Sequence, residues 1–239
     1  MAVDDDLLRK NPFQFELVSV IINDSVTRDA ITHDEKRKFL EFVRNDKHFC
    51  KYYDSIYILF YTGMRISEFV GLTIKDIDLK EKTINIDHQL QRTSQMQYII
   101  EPPKTEAGIR VIPMQEEVCE CFRRIIQNRR KPKVEPMVGG KVGFCIWIRM
   151  RCLWLPCIGK NIFNIVEKYN KVYKVQMPKI TPHVCRHTYC SHCASSGMNP
   201  KHLQYLMGHS DISVTLNTYT HVDFDNVKKE VQSLEKAVL

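Results

Sequence analysis

The chain has no internal repeat and no apolar run long enough to cross a membrane, which excludes a solenoid and a transmembrane helix. It lacks a secretory leader, so we expect a cytoplasmic protein whose nine cysteines stay reduced. Nine is odd, so complete internal pairing is excluded. No carboxylate cluster reads as a two-metal nuclease site. Acidic charge is in deficit, with 28 Asp and Glu against 35 Lys and Arg, and the net +7 favours a polyanionic partner. Tryptophan is scarce, and both copies fall within residues 144–161, "FCIWIRMRCLWLPCIGKN". That stretch has no clean helical or strand period. One account is a pair of compensating indels that puts it out of frame, and the other is ordinary divergence; codon-level comparison with a close relative separates them.

What is present is mostly helical. Thr32-His33-Asp34-Glu35 fits a capping box at a helix start, and Phe39, Leu40, Phe42 and Val43 supply its apolar side. A second helix is expected over about 50–61, with Ile56, Leu59 and Phe60 inward; Thr62-Gly63 interrupts it, and a third starts near Arg65. Thr83–Asp87 alternates as a half-buried strand does. Tyr98–Ile100 and Ile109–Ile112 flank a turn-rich segment, so we expect a three-stranded antiparallel sheet ending in a hairpin. Another helix should run from about 115 to 130. Thr181-Pro182 and Asn199-Pro200 open two more, with Gly197 and Gly208 closing them, and Asp211 can cap a further one. Phe224, Val227, Val231, Leu234 and Val238 step by 3, 4, 3 and 4, the seam of a tail helix.

The densest chemistry is "HVCRHTYCSHC", residues 183–193. His183 and Arg186 are three apart at a helix start, where unpaired N–H groups and the dipole favour an anion. Arginine suits phosphate because its planar fork donates two parallel hydrogen bonds. Cys190-x-x-Cys193 has zinc spacing, but all these residues lie on one expected helix, whereas zinc knuckles use a tight turn. A redox pair would need a βαβ setting that is absent. Cys185, Tyr189 and Cys193 step by four as an apolar stripe, so the cysteines read as core. Arg65 with Glu68, His209 after Gly208, and Tyr219 are further candidates. Each alone is weak.

Together, "YTGMRISEFVGL", "PPKTEAGIRVIP", "TPHVCRHTYCSH" and "LMGHSDISVTLNTYTHV" resemble the tyrosine recombinase (phage-type integrase) family, over about Thr27 to Val222. The wording is most similar to integrases of Gram-positive conjugative transposons. The resemblance implies an α+β, predominantly helical catalytic-domain fold with a small three-stranded antiparallel sheet. It divides the chain into a linker at 1–26, a catalytic domain at 27–222 and a C-terminal tail helix at 223–239. Arg65, Lys104, His183, Arg186 and His209 would surround the scissile phosphate, with Tyr219 as nucleophile. His183 would be the base, Lys104 on a mobile hairpin would protonate the departing 5′-oxygen, and His209 would hydrogen-bond the phosphate. A phosphotyrosyl link stores the bond energy for rejoining, so no cofactor and no metal is expected. The implied partners are double-stranded DNA and other recombinase subunits in a tetrameric synapse, joined through the tail. The family's further DNA-binding domains have no counterpart here, and residues 1–30 begin abruptly, as the C-terminal part of a longer chain would. One departure is spacing: His209 to Tyr219 is ten steps where many members have nine, so we expect Asn217-Thr218 to absorb the difference in a frayed turn. Tyr205, a competing tyrosine, sits on an expected core-like helix. Alternative readings are type IB topoisomerase-like relaxation and an inactive DNA-binding remnant. Arg123, Arg124, Arg129, Arg130, Lys131 and Lys133 are either phosphate contacts or a solvated helix end.

Overall fold

The computed structural model describes residues 30–129, 133–148, 152–153 and 155–219. The expected linker over 1–26 and tail helix over 223–239 lie outside the described residues. Helix α1 (His33–Asn45) begins where the sequence signals it. The Thr32 hydroxyl accepts from the Glu35 amide while the Glu35 carboxylate accepts from the Thr32 amide. Two otherwise orphaned donors are thereby satisfied. A 3₁₀ turn at Cys50–Tyr52 leads into α2 (Tyr53–Thr62), whose Ile56, Leu59 and Phe60 are buried. α2 packs against α1, α4 (Glu116–Gln127) and α6 (Pro182–Ser195). Phe39, Phe60, Phe69, Phe122 and Phe144 are fully buried there. Each buried aromatic contributes on the order of 1.5–3 kcal/mol.

Gly63 ends α2 in the left-handed region at φ 64°. A Cβ there would lie 2.5 Å from Cδ1 of Tyr189. Gly63→Ala should therefore lower stability by about 2 kcal/mol or more, from left-handed strain alone and then from the clash. Urea unfolding reads this directly; an unchanged midpoint would mean that the turn relaxes freely.

Helix α3 (Ile66–Gly71) follows with Arg65 as its N-cap residue. The expected three-stranded antiparallel sheet is present, but its membership differs. β1 (Ile77–Asp78) pairs with β2 (Thr83–Ile86), and β2 pairs with β5 (Arg110–Pro113). β4 (Tyr98–Glu101) pairs instead with β3 (Gln89–Arg92), as a separate hairpin closed by a turn at 93–97. Lys104 thus lies on a connection between two sheets, not in a hairpin turn. β6 (Trp147–Ile148) and β7 (Cys152–Leu153) pair, and α5 (Leu155–Val172) follows, so the aperiodic 144–161 stretch holds a strand pair and a helix start. Arg124 is ion-paired with Asp54, and Arg129 with Glu135, which ties both cations to the protein.

The last third follows its caps. Thr181 accepts from the Val184 amide at the start of α6, with Pro182 in the first turn. α7 (Pro200–Met207) is capped by Asn199 and ends at Gly208, φ 61°. α8 (Ile212–Leu216) is capped by Asp211. Tyr205 on α7 is not a core residue: it is 52% exposed, and its hydroxyl accepts from the Val111 amide of β5. No helix among the described residues is long and apolar enough to cross a membrane.

Candidate active site

Three consecutive carbonyls at the end of α7 each take a different arginine. Arg110 Nε donates to Leu206 O at 2.7 Å, Arg186 Nη2 donates to Met207 O, and Arg65 Nη2 donates to Gly208 O at 3.3 Å. The end of a helix leaves such carbonyls unpaired and carries partial negative charge. The same end therefore gathers guanidinium groups from α3, β5 and α6. Arg186 also donates to Gly63 O at 2.8 Å, so the C-terminal ends of α2 and α7 hold it between them.

One carboxylate organises this group. Glu68 is 1% exposed, in the first turn of α3. It accepts from the Arg65 backbone at 2.9 Å and from Arg65 Nη1 at 2.8 Å, and Arg110 Nη2 donates to it at 2.9 Å. Burial pushes the Glu68 carboxyl up, but its bonds to Arg110 and the charges of Arg110 and Arg65 outweigh that, and it is held below its ordinary value. Two guanidinium groups thus bind one carboxylate, and Arg186 feels only its charge. Burial, then the neighbouring Arg65 charge, pulls Arg186 down to about 9, which still leaves it cationic at neutral pH. A buried cation next to like charges calls for an anion.

Arg65, Lys104, His183, Arg186 and His209 all line one cavity of about 590 Å³. Arg186 is buried, while His183 and Lys104 are exposed at the rim. His209 Nδ1 lies 2.9 Å from the Thr215 hydroxyl of α8. Burial, followed by the charges of Arg186, Arg65 and Arg110, lowers His209 to about 4. It is a neutral imidazole at pH 7; a Thr215 hydroxyl that donates to Nδ1 leaves the ring proton on Nε2.

Tyr219 is not among the residues that line this cavity. Its hydroxyl donates to Met198 O at 2.5 Å, and its ring packs on Cys190, Leu203 and Met207. Helix α8 ends at Leu216, and Thr218 and Tyr219 donate to Thr215 O and Leu216 O in turns. The chain at 217–219 is therefore a turn, as the ten-residue step required.

The phage integrase family model matches residues 29–226. The chain belongs to the phage integrase family. It is 43% identical over 241 residues to the transposase of transposon Tn916 from Enterococcus faecalis, across 99% of this chain and 58% of that protein. It is 30% identical to the integrase of Staphylococcus phage L54a, across 74% of this chain and 49% of that protein. A fragment of the Tn1549 transposon integrase, solved in complex with transposon right end DNA, matches with a TM-score of 0.84 at 42% identity, covering 98% of this chain and 74% of that one. The chain spans 58% of the length of the transposon relatives.

Within this family member, the cysteines of α6 divide by face from the histidines. Cys185 and Cys190 are buried, Cys193 is partly so, and His183 and His187 are exposed. Burial pushes all three thiols up, away from the thiolate that metal binding or redox chemistry uses. Cys190→Ser with Cys193→Ser is expected to lower stability by about 1 kcal/mol, as urea unfolding reads. Stoichiometric zinc in the purified protein would contradict this.

Sequence reasoning missed Arg110, which is 3% exposed behind the cavity wall. A signal existed. β5 alternates buried and exposed from Arg110 to Pro113, so the inward face that takes Ile112 also takes Arg110.

Proposed function

We propose that the chain is the catalytic part of a mobile-element integrase, which cuts and rejoins duplex DNA through a 3′-phosphotyrosyl link at Tyr219. The observation that carries this reading is the excess of guanidinium charge over carboxylate beside a cavity that also takes Lys104, His183 and His209. A phosphodiester supplies the missing anion.

Arg65 and Arg186 take the non-bridging oxygens, whose charge grows during attack. Being held already by carbonyls and Glu68, they need little reorganisation. Neutral His209 donates its Nε2 proton to the same phosphate. Tyr219 exchanges Met198 O for the phosphorus. Its oxygen forms the new P–O bond as the bond to the 5′-oxygen breaks. The phenol proton passes to His183, and Lys104 gives a proton to the departing 5′-oxygen. A free 5′-hydroxyl attacks in reverse to rejoin the strand. The partner is double-stranded DNA, and recombination needs further subunits assembled on it.

The test uses a nicked duplex carrying transposon-end DNA, from which the cleaved fragment diffuses away and traps the adduct. The wild-type chain should form a protein–DNA species that survives detergent. Binding without any adduct would favour the inactive remnant. Relaxation of supercoiled DNA lacking a transposon end would favour the topoisomerase reading. Binding should weaken steeply with salt, by about one and a half to two orders in affinity for a few phosphate contacts over a fourfold rise.

A further inference from the structure

Arg110 does not line the cavity, yet it touches three of the segments that build it. Its Nη1 and Nη2 donate to the two Glu68 oxygens at 3.2 and 2.9 Å, and Glu68 in turn holds Arg65. Its Nη1 also donates to Gly108 O at 2.8 Å, at the end of the connection that carries Lys104. Its Nε donates to Leu206 O, one residue before the carbonyl that takes Arg186 and three before His209. Packing continues both links. A Cβ on Gly108 would lie 2.4 Å from Cβ of Pro103, the neighbour of Lys104, and a Cβ on Gly208 would lie 3.0 Å from Arg110 Nη1. Val111 beside it binds the Tyr205 hydroxyl of α7 at 3.1 Å, which closes the same seam.

We infer that Arg110 is a positioning residue of the cleavage reaction: its one guanidinium fixes the Lys104 loop relative to Arg65 and to the end of α7. This rests on the proposed cleavage reaction. A planar fork with five fixed donors suits the task, since it spans carboxylate and carbonyls at once, whereas an ammonium is a point charge. Lys104 is exposed and its loop pairs with neither flanking strand; Gln89 Nε2 holds the start of the loop by donating to Pro102 O at 3.1 Å, and the Arg110 contact to Gly108 O holds its end.

The experiment compares Arg110→Met with wild type on two suicide duplexes. One carries the normal phosphodiester and the other a sulfur in place of the 5′-bridging oxygen. With sulfur, Tyr219 still forms the P–O bond, but the P–S bond breaks with its electron pair leaving as a thiolate, which needs no proton. General-acid help, worth about 10²–10⁴-fold, then ceases to matter. Arg110→Met should cleave the diester about 10²-fold more slowly, and at least about tenfold of that loss should vanish on the sulfur duplex, as for Lys104→Ala. Arg65→Ala should keep its full loss on both. A variant that is merely unstable loses equally on both, and an equal loss, or no loss, overturns the inference.

A second measurement does not depend on cleavage. The Gly108 and Ile109 amides donate within the loop, to Thr105 O and Glu106 O. In Arg110→Lys, which keeps a cation on Glu68 and so guards against unfolding, these amides should exchange hydrogen at least about tenfold faster while α2 and α6 stay protected. Unchanged exchange would overturn the inference even if cleavage fell. Wild type forming no adduct on either duplex would sink the cleavage reading, and the exchange result would then decide alone whether Arg110 holds the loop.

Discussion

Arg186→Ala should slow covalent adduct formation by at least about 10³-fold, equivalent to about 4 kcal/mol of lost transition-state stabilisation. Removing one fixed hydrogen-bond donor from an oxyanion site costs about 10²–10³-fold, and a guanidinium brings full charge as well. Arg186 is 7% exposed and held by Gly63 O and Met207 O, so it is in place before substrate arrives. Its removal leaves two carbonyls short of a donor, but it also removes a buried cation lying near Arg65 and Arg110. These effects oppose each other, and the net change in stability should stay within about 1–2 kcal/mol. DNA binding should fall far less than cleavage, because the remaining phosphate contacts persist. Arg186→Lys should recover only part of the rate, since one ammonium cannot span both carbonyls and a phosphate oxygen. Single-turnover rates on the suicide duplex, with melting as the control, check both variants. A loss under about tenfold would remove Arg186 from the phosphate.

Tyr219→Phe should form no adduct at all while binding DNA as well as wild type. The hydroxyl it loses donates to Met198 O, a bond worth about 0.5–1.5 kcal/mol, so folding should barely change. Releasing Tyr219 for attack costs this bond together with the packing of its ring on Cys190, Leu203 and Met207, so the proposed reaction needs DNA binding to supply that cost. Tyr205→Phe should keep cleavage within about threefold, because its hydroxyl only ties α7 to β5. An adduct in Tyr219→Phe, or its loss in Tyr205→Phe, would reassign the nucleophile.

Local signals carried most of the fold. Thr32 with Glu35, Thr181 with Pro182, Asn199 with Pro200, and Asp211 each mark a helix start because a short polar side chain meets orphaned amides one turn on. Strand pairing was not legible. Gln89–Arg92 is poor in β-branched and aromatic residues, so the true partner of Tyr98–Glu101 left no period to read. The site divides the same way. Arg65, Lys104, His183, Arg186 and His209 carry their meaning in ordered motifs, and the fold brings them to one cavity. Arg110 acts through contacts made by residues far apart in sequence, to Glu68 and Leu206, which no motif spells out. The docking of Tyr219 on Met198 is likewise a tertiary fact, set by packing against Cys190 and Met207.

The central claim is that Tyr219 becomes covalently joined to DNA. The most direct measurement isolates the detergent-resistant adduct, digests the DNA to a residual nucleotide, and locates that nucleotide by fragmenting the attached peptide in a mass spectrometer. The nucleotide should sit on the Tyr219 oxygen, through its 3′-phosphate. A nucleotide on Tyr205 or any other residue, or one attached through a 5′-phosphate, would contradict the account.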